Sequence, residues 1–265
     1  MMHRLRIAIA TAPLELPIRK AIDVATEAGV QGVQFDLREE VRPEDFGPTA
    51  RRQLLHYLDE RNLRVGPATF GLRRPLFDPE YVEARLEALK SAMTFAWDLG
   101  ARSLTLRVGD PLPSPENASA SELTRQILEE LAAHANQVGV VPTLIPSGDN
   151  AGRIVELIQS IKVGPLAVEA DPFTAVACRY NFSDWLRELH QHVQHVRIRD
   201  GIRESFGGGK EVALGRGEVD WNEVIASVHE IEYQGWITVA GRPGADTATD
   251  TFRAATFVRN LLVLG

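Results

Sequence analysis

The chain has 265 residues, of which 44 % are hydrophobic and 25 % charged, a composition typical of a globular protein with a full core. The net charge is −7 and no segment concentrates lysine and arginine, which argues against a nucleic-acid partner. No run approaches the roughly 18 apolar residues of a membrane-spanning helix. Cys178 is the only cysteine, so no intrachain disulfide is possible, and we expect a cytoplasmic protein.

Short strand-like runs alternate with amphipathic runs along the chain. The first four predicted strand and helix pairs are Arg4–Ala10 with Pro17–Ala28, Gly32–Leu37 with Thr49–Asn62, Leu63–Thr69 with Asp78–Leu99, and Ser103–Val108 with Ser121–Val138. The last four are Val140–Ile145 with Asp149–Ile161, Leu166–Ala170 with Ser183–His190, Val193–Arg199 with a helix from Asp220 or Trp221 to Ile231, and Trp236–Ala240 with Thr247–Leu262. Because a helix separates every pair of strands, the strands are expected to be parallel.

Eight such units in this length predict an α/β fold, a (β/α)8 TIM barrel that forms a single domain over residues 1–265. The main alternative is a doubly wound sheet. That fold would place a glycine-rich phosphate-binding turn after the first strand, where the sequence TAPLELP contains no glycine. The barrel is therefore the prediction.

Active sites of such barrels lie at the carboxyl ends of the strands, and side chains alternate between inside and outside along each strand. Inward-facing residues at the strand ends are thus the candidates for a site. They are Gln34, Asp36, Arg107, Ile145, Glu169, Asp171, His195, Arg197, Ala240 and Arg242.

Three segments resemble one known family. They are AIDVATEAGVQGVQFDL, which ends at Leu37, LGRGEVDW, which ends at Trp221, and IEYQGWITV, which ends at Val239. All three are similar to the xylose-isomerase-like barrels of the sugar phosphate isomerase/epimerase superfamily. This resemblance implies one divalent metal such as Mn, Mg or Zn, held by Glu, Asp, His and Glu at the ends of strands 5 to 8. It also implies that the two glutamates act as bases on the sugar.

The positions that match those four ligands are Ile145, Asp171, Arg197 and Ala240, so the resemblance implies that three of the four are replaced. No Glu or Asp lies close enough to Ile145 or Ala240 for a shift of alignment to restore them. We therefore predict no metal. We expect the Arg197 guanidinium to pair with Asp171, since an arginine stays charged and matches a carboxylate with two donors.

Three more arginines bear on the ligand. The resemblance assigns substrate contact in the epimerases to the position of Arg203, and Arg107 and Arg242 end their own strands. If they converge, they would hold an anionic ligand such as a sugar phosphate or sugar acid; alternatively, each pairs with a neighbouring carboxylate. The Gly207–Lys210 segment is either a phosphate-binding turn or a surface loop.

Two functions stay open at this point. The first is a sugar or sugar-phosphate isomerase or epimerase in which Asp171, Glu169 or His195 supplies a base without a metal. The second is a metal-free pseudoenzyme that binds a small, possibly anionic, carbohydrate. A DNA-repair endonuclease of similar fold would need a zinc cluster and is disfavoured by the missing ligands. Besides the carbohydrate we expect no nucleic-acid or membrane partner. The sequence is compatible with a homo-oligomer as well as with a monomer.

Overall fold

The computed structural model describes residues 5–108, 112–114, 116–148, 150–241 and 247–264. Nine strands form one sheet, and every pair of neighbouring strands in it is parallel. In chain order they are β1 Arg6–Ala10, β2 Gly32–Gln34, β3 Arg64–Val65, β4 Ala68–Thr69, β5 Ser103–Arg107, β6 Val141–Ile145, β7 Ala167–Ala170, β8 Val193–Ile198 and, after a hairpin, β11 Trp236–Val239. The predicted (β/α)8 barrel is confirmed.

The barrel closes where the third predicted strand is split. Strands β3 and β4 are its two halves, and the break falls at Gly66–Pro67, since proline cannot donate to a ladder. Both halves pair with the β2 segment. The amide of Thr69 donates to the carbonyl of Phe35, and Asp36 forms a bridge with Thr69. The ladder is therefore continuous from β2 through β4 to β5.

Helices surround the barrel. They are α1 Ile18–Glu27, α2 Pro48–Asp59, α3 Val82–Asp98, α4 Ala118–Val138, α5 Ala151–Ser160, α6 Pro172–Cys178, α7 Phe182–Leu189, α8 Trp221–Glu230 and α9 Thr247–Leu264, with short 3₁₀ turns at Ala12–Leu14 and His190–His192. Their apolar faces pack on the outside of the strands, around Ile9, Val33, Leu106 and Val196, all fully buried. None of the described helices has both the length and the apolar character to cross a membrane.

The two largest departures from the predicted helices lie in the third and sixth units. The third helix begins at Val82 instead of Asp78, because the Asp78 carboxylate accepts the amide of Glu80 in a turn and Tyr81 is left-handed at φ 56°. The sixth unit contains two helices. Asp171 caps the additional helix α6, and Asn181 rather than Ser183 caps α7.

An antiparallel hairpin extends from the barrel after β8. Its strands are β9 Asp200–Arg203 and β10 Gly209–Val212, and its turn carries Gly207 and Gly208 at positive φ. The segment Gly207–Lys210 thus forms the hairpin turn and the start of β10. The buried Asp200 carboxylate joins the hairpin to α8, because it accepts the amides of Gly215 and Gly217 and the indole N–H of Trp221. A side chain at position 217 would collide with Asp200, which explains the second glycine of LGRGEVDW.

Candidate ligand site at the barrel mouth

Glu169, at the end of β7, is the centre of a buried ionic cluster. Its Oε1 accepts the Nε–H of Arg197 at 2.6 Å, and its Oε2 lies 2.6 Å from Nδ1 of His195. Burial raises the pKa of Glu169, but Arg197 and His195 outweigh it and lower the pKa to about 2. An ionised carboxylate only accepts, so Nδ1 of His195 carries a proton, while Nε2 lies 2.7 Å from the hydroxyl of Thr238.

Asp171 forms a second ion pair one step nearer the mouth. Its Oδ2 accepts Nε of Arg199 at 2.7 Å and the hydroxyl of Thr174 at 3.1 Å, and its Oδ1 accepts the amide of Phe173. Arg199 also lies over the Phe173 ring at 4.8 Å. Burial opposes the charge of Arg199, but Asp171, Glu211 and Glu169 outweigh that effect and raise its pKa.

The predicted pairing of Arg197 with Asp171 is wrong. Arg197 of β8 pairs with Glu169, whereas Arg199, the residue after β8, pairs with Asp171 and, at 3.6 Å, with Glu211. The reason is the depth of Glu169, whose side chain is 0 % exposed and whose charge would be costly without a cation beside it. Asp171 is stabilised separately, by Arg199 and the first turn of α6.

Arg107, at the end of β5, differs from both of these arginines. Its side chain reaches solvent in the mouth, and it makes no hydrogen bond or ion pair with any other described residue. Surrounding protein atoms, then the charges of Arg199 and Arg197, lower the pKa of Arg107. The Nη1 and Nη2 groups of Arg197 likewise have no hydrogen-bond partner within the described ranges. Among the described residues, cationic donors on this side of the mouth therefore have no partner.

The opposite wall follows β1 and β2. Gln34 is 1 % exposed, and neither its Oε1 nor its Nε2 has a partner among the described residues. Beside it, the Thr11 hydroxyl donates to Glu40 Oε2 at 2.6 Å, whereas Glu40 Oε1 is buried and unpartnered in the described chain. Burial raises the pKa of Glu40 from 4.5 to about 7. Asp36 caps the following turn by accepting the amides of Arg38 and Glu39.

The remaining predicted residues fall into three groups. Ile145 and Ala240 are buried apolar side chains at the ends of their strands. Arg203 lies on the hairpin, 43 % exposed and 3.4 Å from Glu218, so the hairpin carries it out of the Glu169 cluster and it pairs with a neighbouring carboxylate. Arg242 lies outside the described residues.

The charged side chains do not fit a divalent ion. All four carboxylate oxygens of Glu169 and Asp171 already accept hydrogen bonds from protein groups. The described residues contain no group of three or more His, Cys, Asp or Glu side chains that could hold a metal. Ile145 and Ala240 have no ligand atom in their side chains.

The sequence analysis did not single out three residues of the barrel interior and mouth: Arg199, Glu40 and Thr105, whose buried hydroxyl has no partner among the described residues. Arg199 could have been predicted most easily. It lies two residues after Arg197 and four after His195, so strand alternation directs its side chain inward as well. Glu40 lies in a turn beyond β2, where strand alternation gives no information. Its approach to Thr11 depends on the packing of two loops.

The chain belongs to the family of xylose isomerase-like TIM barrels, whose sequence model matches residues 22–260. No curated protein sequence matches it.

Among solved structures, a xylose isomerase domain protein from Planctomyces limnophilus superposes with a TM-score of 0.83 at 20 % identity, over 98 % of this chain and 96 % of that one. A 3-keto-D-glucoside 4-epimerase from E. coli gives 0.77 at 18 % identity, over 97 % and 100 %. The IolI protein with a bound zinc atom gives 0.79 at 14 % identity, over 98 % and 97 %. The chain therefore has the isomerase/epimerase-like TIM-barrel fold.

Proposed function

We propose that this protein binds a small anionic carbohydrate in the mouth of its barrel without a divalent metal. The observation that carries the proposal is Arg107, a guanidinium in the mouth with no described partner and with two like charges beside it. A bound carboxylate or phosphate would offset those like charges and accept hydrogen bonds from Arg107 and from the free end of Arg197. The isomerase/epimerase-like barrel supports a carbohydrate as the rest of the ligand.

The metal-free part of the proposal rests on the donor set. The two carboxylates at the end of β7, Glu169 and Asp171, are neutralised by Arg197 and Arg199. A cation brought to Glu169 or Asp171 would have to displace a guanidinium from a 2.6 Å contact.

An isomerase or epimerase is the second candidate, and Glu40 favours it. Its pKa of about 7 suits a group that gives and takes a proton near neutral pH, and its Oε1 has no partner within the described chain. Glu169 is less suited to this role, because a carboxyl with a pKa of about 2 is a weak base. Loss of sugar isomerisation in a Glu40→Gln variant that still binds ligand would support the enzyme.

The binding proposal is tested by calorimetric titration of metal-free protein with acetate, inorganic phosphate and gluconate. We expect Arg107→Gln to weaken binding of all three by about tenfold or more, the loss of one charge-assisted contact. Arg73→Gln is the matched control, since Arg73 is an exposed arginine after β4 that lines a pocket without Arg107 and has no hydrogen bond or ion pair in the described residues. Equal affinities in wild type and Arg107→Gln would overturn the proposal.

The same protein preparation tests whether the site is metal-free. Elemental analysis of protein purified without chelators should find no stoichiometric divalent ion. A full equivalent of Mn, Mg or Zn that disappears in Asp171→Asn would overturn the metal-free proposal.

The proposal also includes a cytoplasmic location, supported by the single cysteine, Cys178, which has no second cysteine to pair with.

A further inference from the structure

One layer of the barrel interior is entirely polar. In a (β/α)8 barrel with a shear of about eight residues, alternate strands contribute the four side chains of a layer. The observed strand registers place the following four in one layer: Gln34 of β2, Thr105 of β5, Glu169 of β7 and Thr238 of β11. Each is at most 1 % exposed. Apolar branched side chains would normally fill such a layer.

Only two of the four side chains in this layer have their hydrogen-bonding groups paired. Glu169 and Thr238 are joined through the two ring nitrogens of His195. Gln34 keeps an unpartnered amide oxygen and nitrogen, and Thr105 an unpartnered hydroxyl, within the described part of the chain. Buried polar groups without partners are rare in proteins, because each forfeits its hydrogen bonds to water on folding. Both side chains face the axis of the barrel, and the neighbour of Gln34 on β1 is Ala10, whose methyl group offers no hydrogen bond.

We propose that Gln34 and Thr105 form a hydroxyl-binding floor beneath the anion site, so that the ligand is a short polyhydroxylated carboxylate or phosphate inserted with its hydroxyl end first. The amide of Gln34 offers one acceptor and two donors, and the hydroxyl of Thr105 offers one more of each kind. A vicinal pair of sugar hydroxyls has the matching groups. The inference rests on the proposed function for its charged end, at Arg107.

The spacing of the two parts limits the size of the ligand. Thr105 and Arg107 are two residues apart on β5 and face the same way, so their Cα atoms are about 7 Å apart along the strand. Arg107 lies nearer the mouth, because β5 ends there. A chain of about five or six carbons, with an anionic group at one end and hydroxyls at the other, spans that separation. An anion without hydroxyls would contact Arg107 alone.

The test compares three ligands by calorimetric titration: acetate for the anion site, xylitol for the floor and gluconate for both. The variants are Gln34→Leu and Thr105→Val. Thr143→Val is the matched control, because Thr143 lies opposite Thr105 on β6 but its hydroxyl already has a partner, the carbonyl of Val141. We expect each test variant to weaken gluconate about tenfold and to leave acetate unchanged, and Thr143→Val to change neither. Gln34→Leu should also raise the Tm of the ligand-free protein, since it removes unpaired buried atoms.

Gluconate affinities within threefold of wild type in both test variants would overturn the floor, as would wild-type protein that binds gluconate no better than acetate. If Gln34→Leu does not fold, the pair Thr105→Val and Thr143→Val still decides. Binding of xylitol without binding of either anion would support the floor and overturn the anion site, so the two proposals fail separately. A lower Tm in Gln34→Leu with unchanged gluconate binding would assign the glutamine a structural role and overturn the inference.

Discussion

Two glutamates at the mouth of the barrel, one buried and one partly buried, have opposite pKa shifts. Glu169 ends β7 and has a pKa lowered to about 2, whereas Glu40 follows β2 and has a pKa raised to about 7. Burial raises the pKa of both, so burial does not explain the difference. The difference lies in their partners: Glu169 has Arg197 and His195, while Glu40 has a threonine hydroxyl and a backbone amide.

This contrast divides the mouth into two walls. The carboxylates of the β7–β8 wall are neutralised and hydrogen-bonded by neighbouring residues, so they need no ligand to be stable. Within the described ranges, Gln34 and Glu40 of the β1–β2 wall and Thr105 of β5 keep unpaired polar atoms that a ligand could satisfy. A binding pocket needs side chains held rigidly in place and polar groups left available to the ligand. The ion pairs of the first wall meet the first need, and the unpaired atoms of the second wall meet the other.

Neutralising Glu169 should have the largest effect. Glu169→Gln leaves Arg197 without its counter-charge, and we expect the free energy of unfolding at pH 8 to fall by about 3–5 kcal/mol. Urea denaturation measures this. Glu40→Gln is the matched control and should be neutral or stabilising at that pH, because it removes an unfavourable buried charge. Equal losses in the two variants would contradict the division into two walls.

The fall in the free energy of unfolding at low pH should depend on Glu169. Its folded-state pKa lies below the ordinary value of 4.5, so its contribution is complete above about pH 4.5 and disappears as the pH falls towards 2. At 1.36 kcal/mol per pKa unit, the loss is about 3 kcal/mol. Urea titrations at intervals from pH 5 to pH 2.5 test this. A variant Glu169→Gln should lack that part of the acid slope; an unchanged slope would refute the assignment.

Glu40 should act in the opposite direction and in another pH window. Its folded-state pKa is raised, so its contribution is complete below about pH 4.5 and is lost as the pH rises to about 7. Because the carboxyl is partly exposed, we expect a loss of about 2 kcal/mol rather than the full value of the shift. Stability measured at pH 5 and pH 8 should differ by this amount in wild type and not in Glu40→Gln. Equal free energies of unfolding at pH 5 and pH 8 in the wild type would disprove this role of Glu40.

Replacing Arg199 by lysine should have the smallest effect. The lysine keeps the charge beside Asp171 but loses the fork of two N–H donors and the contact with the Phe173 ring. We expect a loss of about 1–2 kcal/mol in thermal or urea unfolding. Arg203→Lys, in an exposed pair with Glu218, is the control and should change stability by less than about 0.5 kcal/mol. A larger loss at position 203 would argue against the ranking.

Much of this could be predicted from the chain. Alternation correctly placed Glu169 and His195 inside the barrel, because side-chain direction along a strand is a local property. The pairing of Arg197 could not be predicted, since two carboxylates lie within its reach and their depths decide between them. Arg203 was misplaced for a similar reason: the hairpin carries it out of the cluster, and its partner Glu218 is set by how the hairpin folds back.

The sequence by itself determined the eight strand and helix units, the family, and which side chains face the interior, since periodicity and turn residues are written locally. Only the tertiary structure decided which charges are neutralised and which polar atoms stay unpaired. Those outcomes depend on the register and tilt of strands far apart in the chain, which bring Gln34, Thr105, Glu169 and Thr238 into one layer. The burial of Glu40 near Thr11 was decided in the same way, by two loops meeting above the barrel.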